Sequence, residues 1–378
     1  MRAALNVEIL RRLPKVGGHQ YVYQLVGAMD GELGGDELLL LNNSFRRGVE
    51  TKPELPATSH PGIIYKNIKV SKKLVSRAQK LAGFPRLEHL AGRIDVYHEP
   101  ALDPFPLTRA AKALTIHDLS PITGRFTPPD YTEMMRAYYG TAIQGADVII
   151  ASSEYTRQDI IENYRIDESR VKRVYLAAKP APGIPSDKSI AAARAKFGIA
   201  DEYMIFVSTL EPKKNVPNII RAYNAFRTES SSAAQLVLCG YKGWMSDEID
   251  AELERTPYRK DIILTGFVDD EILPALMKGA LFLLYPSIYE GFGLPVLEAM
   301  AMGLPVLTSN ATSLPEVAGD AAIIVDPSSV AEMSDGMRRL AEDSSLRAEM
   351  VKKGFAQCAK FSWERCAKET LKIYREIS

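Results

Sequence analysis

Apolar residues in this chain fall into short continuous runs instead of alternating singly with polar residues. Runs of this kind are typical of strands that are buried on both faces of a parallel sheet. They predict strands at residues 37–41, 96–98, 113–116, 148–151, 171–174, 203–207, 235–239, 262–265, 281–285, 305–308 and 322–325. Amphipathic stretches between the runs predict helices at residues 21–29, 131–143, 216–226 and 331–340. This alternation of strands and helices predicts an α/β doubly wound fold.

One segment interrupts the alternation. Residues 179–186 contain three prolines and a glycine, and proline has a fixed φ and no N–H to donate to a sheet. We interpret this segment as a linker between domains of residues 1–180 and 181–360, each of them Rossmann-like and doubly wound. Because open α/β sheets bind ligands outside the carboxyl ends of their strands, two such domains facing each other would form a cleft.

Composition narrows the class of protein. Hydrophobic residues make up 46% of the 378 residues and charged residues 25%, which excludes a disordered or collagen-like chain. Lys and Arg equal Asp and Glu at 47 each, so no overall field attracts nucleic acid. The three cysteines are scattered and form no CxxC pair, which favours reduced thiols over a disulfide framework or a zinc site.

The chain shows neither a membrane-spanning nor a secretory pattern. Its longest apolar runs, such as residues 280–285, are far shorter than the ~20 residues that a bilayer requires. Asn6 and Glu8 occupy positions where a signal peptide would be apolar. We therefore expect a cytoplasmic protein that is either soluble or peripheral at the inner face of the membrane.

Positive charge is concentrated in residues 66–86, which hold seven bases and no acid. Val70, Leu74, Ala78 and Leu81 recur within this segment at helical spacing. A basic amphipathic helix of this kind can lie on an anionic bilayer surface. A solvated helix face is the alternative, and the sequence does not decide between them.

The most informative segment is residues 285–303, YPSIYEGFGLPVLEAMAMG. Gly291 and Gly293 predict a tight turn after a strand, and Pro295 stands where the first residue of a helix is favoured. Gly303 then predicts the end of that short helix. The segment is therefore expected to place a helix N-terminus at the carboxyl end of a strand, where a phosphate binds favourably.

Two acidic residues and three backbone groups are the candidates at this turn. The N–H groups of Phe292, Gly293 and Leu294 are expected to meet the phosphate, with Glu290 and Glu298 accepting hydrogen bonds from a sugar and a ribose. A plain turn with a surface glutamate is the alternative for each feature taken singly. A Rossmann dinucleotide loop does not fit, since its third glycine would fall on a valine.

Further candidates follow other predicted strands. Lys213 and Lys214 place two cations after the strand at 203–207, and His117 directly follows the strand at 113–116. Gly17 and Gly18 precede the predicted first helix and allow close backbone approach to a ligand. For each of these residues a purely structural or solvated role is the alternative.

Glu290 and Glu298, with seven residues between them, resemble the EX7E signature of retaining glycosyltransferases of family 4, which have the GT-B fold. Five further parts of the chain match the same family: STLEPKKN at 208–215, LTGFV at 264–268, SLPEVAGD at 313–320 and, in the first half, the glycine pair at 17–18 and TIHD at 115–118. The resemblance covers essentially the whole chain. It also implies that residues 361–378 form a closing helix that crosses back onto the first domain.

The resemblance implies transfer of a hexose from a sugar nucleotide to a glycan or lipid-linked saccharide acceptor, with retention of the anomeric configuration. Similarity to mannosyltransferases of bacterial polysaccharide assembly implies mannose from GDP-mannose. His117, Glu290 and Lys214 are the implied catalytic residues. The implied front-face mechanism needs no side-chain base, no metal and no cofactor, because the leaving phosphate takes the proton of the acceptor.

The resemblance also implies a set of donor contacts, most of them in the second domain. Phe267 and Val268 would hold the nucleobase through backbone groups, and Glu298 would hold the ribose. Lys213 and Thr209 stand where relatives carry an arginine, so a bidentate phosphate contact is replaced here by the point charge of a lysine. Gly17 and Gly18 would approach the diphosphate or the acceptor.

Three alternative functions stay open at the level of sequence. The first is a transferase of the same family that uses a UDP-sugar, either glucose or N-acetylglucosamine. The second is a nucleotide-sugar-binding protein without turnover. The third is a sugar-nucleotide epimerase with the same fold.

Overall fold

The computed structural model describes residues 1–11, 17–44, 53–100, 108–180 and 183–378, without the side chains of Lys72, Lys73, Ser76 and Lys80. The chain divides into two compact units. The first unit comprises Met1–Leu119, Glu133–Leu176 and Ser362–Ser378, and the second comprises Ser120–Thr132 and Ala177–Phe361. Two residues of the predicted linker, 181 and 182, lie outside the described part of the chain.

The first unit is built on a parallel sheet, which has seven strands among the described residues. The strands are β1 (Arg2–Asn6), β2 (Glu37–Asn42), β3 (Ile63–Asn67), β4 (Val96–Glu99), β5 (Ala111–Ile116), β6 (Val148–Ala151) and β7 (Val171–Arg173). Their order is β3-β2-β1-β4-β5-β6-β7. The helices that connect them are α1 (Gly17–Met29), α2 (Lys72–Ala82), α3 (Leu87–Ala91), α4 (Pro129–Gln144) and α5 (Glu154–Tyr164).

The second unit repeats this arrangement with six described strands. They are β8 (Tyr203–Val207), β9 (Gln235–Cys239), β10 (Ile262–Gly266), β11 (Leu283–Tyr285), β12 (Val306–Ser309) and β13 (Ile323–Val325), in the order β10-β9-β8-β11-β12-β13. Its helices are α6 (Asp187–Phe197), α7 (Val216–Glu229), α8 (Asp247–Arg255), α9 (Leu273–Gly279), α10 (Leu294–Ala301), α11 (Leu314–Ala318), α12 (Val330–Glu342) and α13 (Ser344–Cys358). The last helix of the chain, α14 (Trp363–Ile377), belongs to the first unit.

The central strands explain why the apolar runs are continuous. In β8 the residues Tyr203, Met204, Ile205 and Phe206 are all completely buried, because neighbouring strands lie on both sides and helices cover both faces. β1 has the same position in the first sheet, between β2 and β4. Both sheets therefore have the pattern of a doubly wound α/β fold, as predicted.

All eleven predicted strands are present, as β2 and β4–β13, with bounds that differ by at most two residues. The predictions missed β1 and β3. β1 reads Arg-Ala-Ala-Leu-Asn and has little of the β-branched or aromatic character that marks a strand. β3 reads Ile-Ile-Tyr-Lys-Asn and lies at the edge of its sheet, where burial is only partial.

The division into units differs in two respects from domains of residues 1–180 and 181–360. The boundary falls between Leu176 and Ala177, and residues 120–132 group with the second unit although they precede the linker. Residues 361–378 contain α14, which packs against α1 of the first unit: Trp363 lies against Tyr21, with ring centroids 6.4 Å apart.

The apolar repeat of α2, the helix within the basic segment, is not directed into the core. α2 buries Val75 and Gln79, whereas Leu74 and Leu81 are exposed to 63% and 89%. The apolar repeat of this helix therefore points largely to solvent.

Candidate active site

The centre of the site in the second unit is a buried ion pair between Lys214 and Glu290. Lys214 ends a single 3₁₀ turn (Pro212–Lys214) that follows β8. Its Nζ donates to Glu290 Oε1 at 2.6 Å and to the hydroxyl of Tyr285 at 2.8 Å. The side chains of Lys214 and Glu290 are only 8% and 9% exposed, so each charge has the other as its main source of stabilisation in place of water.

Tyr285 is the third member of this cluster and was not predicted as a functional residue. It is the last residue of β11, and its ring lies 5.1 Å from Lys214 Nζ. Burial, together with the negative charge of Glu290, holds the pKa of the Tyr285 hydroxyl well above its usual range, so the hydroxyl stays protonated. The one signal in the sequence is its position at a strand's carboxyl end, directly before the glycine-rich turn.

The turn that carries Glu290 is held in place by the last residue of β12 and by residues that follow this strand. The N–H of Glu290 donates to Thr312 Oγ1 at 3.0 Å, and Ser313 Oγ lies 3.0 Å from the carbonyl oxygens of both Glu290 and Phe292. Ser309 Oγ donates to the carbonyl of Ser287 at 2.6 Å. These hydroxyls fix the backbone of the turn, and sequence reasoning gave no role to any of them.

Gly293 makes the sharp entry into α10. Its φ is +104°, a value that side chains disfavour, and a Cβ there would lie 2.7 Å from Leu314 Cδ2. α10 begins at Leu294, so Pro295 is its second residue and not its first as predicted. Gly303, with a φ of +68°, follows the helix end as expected. The helix N-terminus thus stands at the carboxyl end of β11.

The two glutamates of the predicted signature have different environments. Glu290 is buried in the ion pair, whereas Glu298 lies on α10 and is half-buried. Phe292 is buried against Phe361, with ring centroids 5.8 Å apart. Leu294, the first residue of α10, is half-buried. The structure therefore assigns the two carboxylates to different elements, one in the turn and one on the helix.

Lys213 and Thr209 lie close to Lys214 in sequence but have different surroundings. Lys213 Nζ lies 3.3 Å from the hydroxyl of Ser120 and 3.9 Å from a carboxylate oxygen of Glu211. Ser120 belongs to residues 120–132, which group with this unit and which sequence reasoning placed in the first domain. Thr209 lies near the backbone of Gly243, where a Cβ would come within 3.0 Å of Thr209 Cγ2.

The predicted nucleobase residues follow β10. Val268 is buried, while Phe267 is 46% exposed and stacks on Tyr241 with ring centroids 5.0 Å apart and an angle of 8° between the planes. Tyr241 is 50% exposed and follows β9, the neighbouring strand. Tyr241 was not predicted, although an aromatic residue directly after Gly240 at a strand end was a usable signal.

His117 follows β5 in the first unit. Its ring meets the ring of Tyr21 edge-on at 4.9 Å and hydrogen-bonds with the backbone of Pro100. Its Nε2 is buried and has no hydrogen-bond partner among the described residues. Burial lowers the pKa of His117, against a smaller opposing effect of Asp118, so the ring is neutral near pH 7.

A buried hydrogen-bond chain lies beside His117. His98 Nδ1 bonds with the hydroxyl of Tyr374, and His98 Nε2 lies 2.7 Å from Thr115 Oγ1. Thr115 Oγ1 in turn lies 3.2 Å from the hydroxyl of Tyr21. Burial, with a contribution from His117, lowers the pKa of His98 to about 3. Since Tyr374 is on α14, the chain joins the last helix to the strand that leads to His117.

Gly17 and Gly18 are the first two residues of α1, not a loop before it as predicted. A Cβ on Gly18 would lie 2.9 Å from Ile9 Cδ1, whereas Gly17 has open space around it. The five residues before Gly17 lie outside the described part of the chain. The glycines are therefore at a helix N-terminus, and only Gly18 is sterically restricted.

The described residues contain neither a cluster suited to a metal ion nor a helix suited to crossing a membrane. No group of three or more His, Cys, Asp or Glu side chains in the described residues is arranged to hold a metal ion. Within the same residues, every helix is too short or too polar to cross a bilayer.

Comparisons with known proteins agree with the fold and assign the family. Residues 16–179 match the family model described as Glycosyltransferase Family 4, and residues 189–357 match the model described as Glycosyl transferases group 1. The O-antigen chain mannosyltransferase B of Escherichia coli is 35% identical over 283 residues, which are 74% of each protein.

Two further similar proteins differ in how much of their own length this chain covers. The serotype-specific mannosyltransferase WbdA of Escherichia coli is 31% identical over 260 residues, which are 66% of this chain and 32% of that relative. The solved structure of sucrose-phosphate synthase from Thermosynechococcus elongatus superimposes with a TM-score of 0.76 over 100% of this chain and 99% of that chain, at 17% identity. The chain therefore belongs to the glycosyltransferases, with a family 4 domain and a group 1 domain in the GT-B fold, and it is a hexosyltransferase.

Proposed function

We propose that this hexosyltransferase moves mannose from GDP-mannose to a glycan or lipid-linked saccharide acceptor with retention of configuration. The observation that carries the proposal is the buried Lys214–Glu290 pair at the carboxyl ends of β8 and β11, beside the N-terminus of α10. The choice of mannose is supported by the similarity to the O-antigen mannosyltransferase of Escherichia coli.

In this proposal the diphosphate of the donor lies against the positive end of α10. Lys213 and Lys214 supply cationic charge there, and the backbone of Phe292, Gly293 and Leu294 supplies dipoles. Charge develops on the diphosphate as the glycosidic bond breaks. Groups already fixed in position stabilise that charge without reorganising. The hydroxyls of Thr312 and Ser313 fix the backbone of the turn in this way.

The transfer step needs no side-chain base in this proposal. The bond between the anomeric carbon and the phosphate oxygen breaks, and the electron pair leaves with the nucleoside diphosphate. The acceptor hydroxyl then bonds to the same face of the anomeric carbon and gives its proton to the leaving phosphate. The products are the mannosylated acceptor and GDP, and no metal or cofactor is needed in this scheme.

Glu290 and His117 are proposed to hold hydroxyls of the transferred sugar. Glu290 is oriented by Lys214 and by the backbone contact to Thr312. His117 has a buried Nε2 without a partner among the described residues, and its lowered pKa keeps the ring neutral. A neutral imidazole suits a hydrogen bond to a hydroxyl better than it suits proton donation to a leaving group.

The nucleobase is proposed to lie at the end of β10, against Phe267 and the backbone of Val268. Phe267 and Tyr241 form a half-exposed aromatic pair, which offers a flat apolar surface for a purine. Glu298 would accept hydrogen bonds from the ribose. Thr209, near the same strand ends, is a further predicted donor contact.

The decisive experiment incubates the purified chain with GDP-mannose, UDP-glucose and UDP-N-acetylglucosamine separately, with a mannose-containing oligosaccharide acceptor. We expect product from GDP-mannose alone, and NMR should show that its anomeric configuration is that of the donor. Glu290→Gln should lower turnover at least about a hundredfold, since it removes the charge but keeps the size of the side chain. Glu248→Gln, on an exposed glutamate of the same unit, is the matched control and should leave turnover unchanged.

Other results would assign other functions. Product from a UDP-sugar alone would overturn the choice of donor and leave the family role intact. Binding of donor without product from any acceptor or water would favour a binding protein. Conversion of the donor alone into its epimer would favour an epimerase.

We also propose that residues 66–86 contact an anionic membrane surface. The segment combines seven bases with no acid. Such a contact would bring the enzyme to a lipid-linked acceptor at the inner face of the membrane.

A further inference from the structure

The side chain of Tyr285 is almost completely enclosed, yet it carries a hydroxyl group. Tyr285 ends β11, an interior strand of the second sheet, and is 1% exposed. Thr308 Oγ1 donates to its carbonyl at 2.9 Å, and its ring lies 6.3 Å from the ring of Phe206 with 21° between the planes. A phenylalanine would pack in the same way without burying a hydroxyl. Packing alone therefore does not account for this group.

The hydroxyl contacts both charges of the buried ion pair. It accepts a hydrogen bond from Lys214 Nζ at 2.8 Å, and the side chains of Glu290 and Ser208 are its other hydrogen-bond partners. Burial, together with the charge of Glu290, holds the pKa of Tyr285 well above its usual range, so the hydroxyl is neutral near pH 7. It therefore orients the ammonium without adding a second negative charge beside it.

The hydrogen bonds of Lys214 leave one N–H of its ammonium for a ligand. The ammonium has three N–H groups, of which one bonds to Glu290 Oε1 at 2.6 Å and one to Tyr285. The described residues supply no third side-chain acceptor. With Glu290 alone the ammonium would be free to turn about that one hydrogen bond. Two fixed acceptors on a tetrahedral nitrogen determine the direction of the remaining N–H.

We propose that Tyr285 is a positioning residue for Lys214: its hydroxyl, with Glu290, directs the remaining N–H to the donor phosphate that carries the transferred sugar. This inference rests on the proposed function, in which Lys214 meets the diphosphate and Glu290 meets the sugar. Because Glu290 bonds to Lys214, the phosphate nearest to the ammonium is the one attached to that sugar. A nucleoside diphosphate contains this phosphate, and a nucleoside monophosphate lacks it.

The test compares the binding of GDP and GMP to the full chain by isothermal titration calorimetry. The wild type should bind GDP more tightly than GMP. Tyr285→Phe keeps the ring and removes the hydroxyl. It should weaken GDP binding by roughly three- to tenfold, because a charge-assisted hydrogen bond loses its direction, and change GMP binding by less than about twofold.

Turnover provides a second measurement on the same variant. The charge on this phosphate is lower in the donor than in the transition state, so a better directed N–H matters more for kcat than for KM. In Tyr285→Phe, kcat should therefore fall by roughly tenfold while KM for the donor changes by less than about threefold.

Tyr203→Phe is the matched control for the loss of a buried hydroxyl. Tyr203 is fully buried at the start of β8 in the same unit, and its hydroxyl donates to the carbonyl of Leu276 at 2.6 Å. Strand starts lie at the opposite edge of a parallel sheet from the site. Tyr203→Phe should therefore leave the ratio of GDP to GMP affinity unchanged, even if it lowers the melting temperature. Circular dichroism and thermal melting establish that each variant is folded.

A double-mutant cycle distinguishes action through Lys214 from a direct contact with the nucleotide. Lys214→Met/Glu290→Leu removes the ammonium and leaves no lone buried charge. Adding Tyr285→Phe to this background should change GDP affinity by less than about twofold. A loss as large as that in the wild-type background would show that Tyr285 does not act through Lys214 and would overturn the proposal.

Two further results would also overturn it. If Tyr285→Phe changes the affinities for GDP and GMP equally, or changes neither, the hydroxyl supports only the fold. If the wild type binds GDP and GMP equally tightly, no phosphate lies at Lys214, and both this proposal and the proposed diphosphate site fail. Turnover with a UDP-sugar would overturn only the choice of donor. UDP and UMP then replace GDP and GMP in the same comparison, with the same expected ratios.

Discussion

The two sheets share one strand order and differ in the chemistry at their carboxyl ends. Numbered within each unit, both read 3-2-1-4-5-6, with a seventh strand added to the first sheet. The first unit has neutral, buried histidines there, His98 and His117: hydrogen bonds link His98 through Thr115 to the Tyr21 hydroxyl, and the ring of Tyr21 meets His117 edge-on. The second has a buried ion pair, Lys214 with Glu290. Topology thus determines where polar groups collect, and individual side chains determine whether the site carries charge.

The largest effect is expected from removing one charge of the pair. Lys214→Met leaves the Glu290 carboxylate buried without a counter-charge, so the free energy of unfolding should fall by about 3–5 kcal/mol. Lys214→Met/Glu290→Leu should recover most of that loss, because no lone buried charge remains. Urea unfolding of both variants measures the difference. Arg338→Met, which breaks an exposed pair with Asp335, is the control and should cost less than about 1 kcal/mol.

This result bears on the catalytic test as well. If the single and double variants are equally unstable, an unpaired buried charge is not the cause of the lost stability. The contrast between a charged site in the second unit and a neutral one in the first would then not explain their stabilities. If the single variant is unfolded, its inactivity says nothing about phosphate binding. Glu290→Gln likewise leaves the Lys214 ammonium buried without its counter-charge, so its turnover is compared with that of the wild type only after circular dichroism shows that it is folded.

The first unit should instead respond to pH. His98 has its pKa lowered to about 3 in the folded state, so the unfolded chain binds more protons between that value and about 6.5. The contribution of His98 to the free energy of unfolding is complete above about pH 6.5 and is lost as the pH falls toward 3. Between pH 7 and pH 5 the free energy of unfolding should fall by about 2 kcal/mol for this reason. Calorimetry at the two pH values should show this loss in the wild type and a smaller one in His98→Gln. An unchanged pH dependence in the variant would remove His98 from the explanation.

A pair of glycines compares the two helix N-termini directly. Gly293→Ala should destabilise by at least about 1 kcal/mol, since its φ of +104° is strained for alanine and its Cβ would meet Leu314. Gly17→Ala has open space around the new Cβ and should be neutral or slightly stabilising, because alanine is the better helix former. Thermal melting of the two variants checks both directions. Equal destabilisation would show that Gly17 is conformationally restricted as well.

The smallest effect is expected at the aromatic pair. Phe267→Ala should weaken GDP binding by roughly three- to tenfold, the size of one lost stacking contact. Isothermal calorimetry measures it, with Phe355→Ala, another half-exposed phenylalanine of the same unit, as the control. Equal affinities for wild type and Phe267→Ala would place the nucleobase elsewhere.

Sequence reasoning predicted the fold better than it predicted contacts. The continuous apolar runs identified every strand of the second sheet, because those strands are rich in large apolar residues. β1 was missed although it is an interior strand of its sheet, since its two alanines and terminal asparagine carry little strand signal. The edge strand β3 was missed for a different reason, because it is only partly buried.

At the site, the sequence identified Lys214 and Glu290 separately but not as partners. They are 76 positions apart, and only the folded sheet brings their side chains together. The hydroxyl groups of Tyr285, Thr312 and Ser313 were missed because isolated hydroxyl residues carry no spacing signal. The glycine pair at 17–18 was placed before the first helix and matched to the glycine-rich loop of the family, whereas it forms the first two residues of α1.

The return of α14 to the first unit has a consequence for how the protein is made. A ribosome synthesises residues 1–361 before Trp363 and Tyr374, which the first unit buries against Tyr21 and His98. The second unit has all of its segments by Phe361, so it can complete its fold while the earlier one still lacks its final helix. A chain truncated after Phe361 and released from the ribosome should therefore be cleaved by protease first within the amino-terminal half.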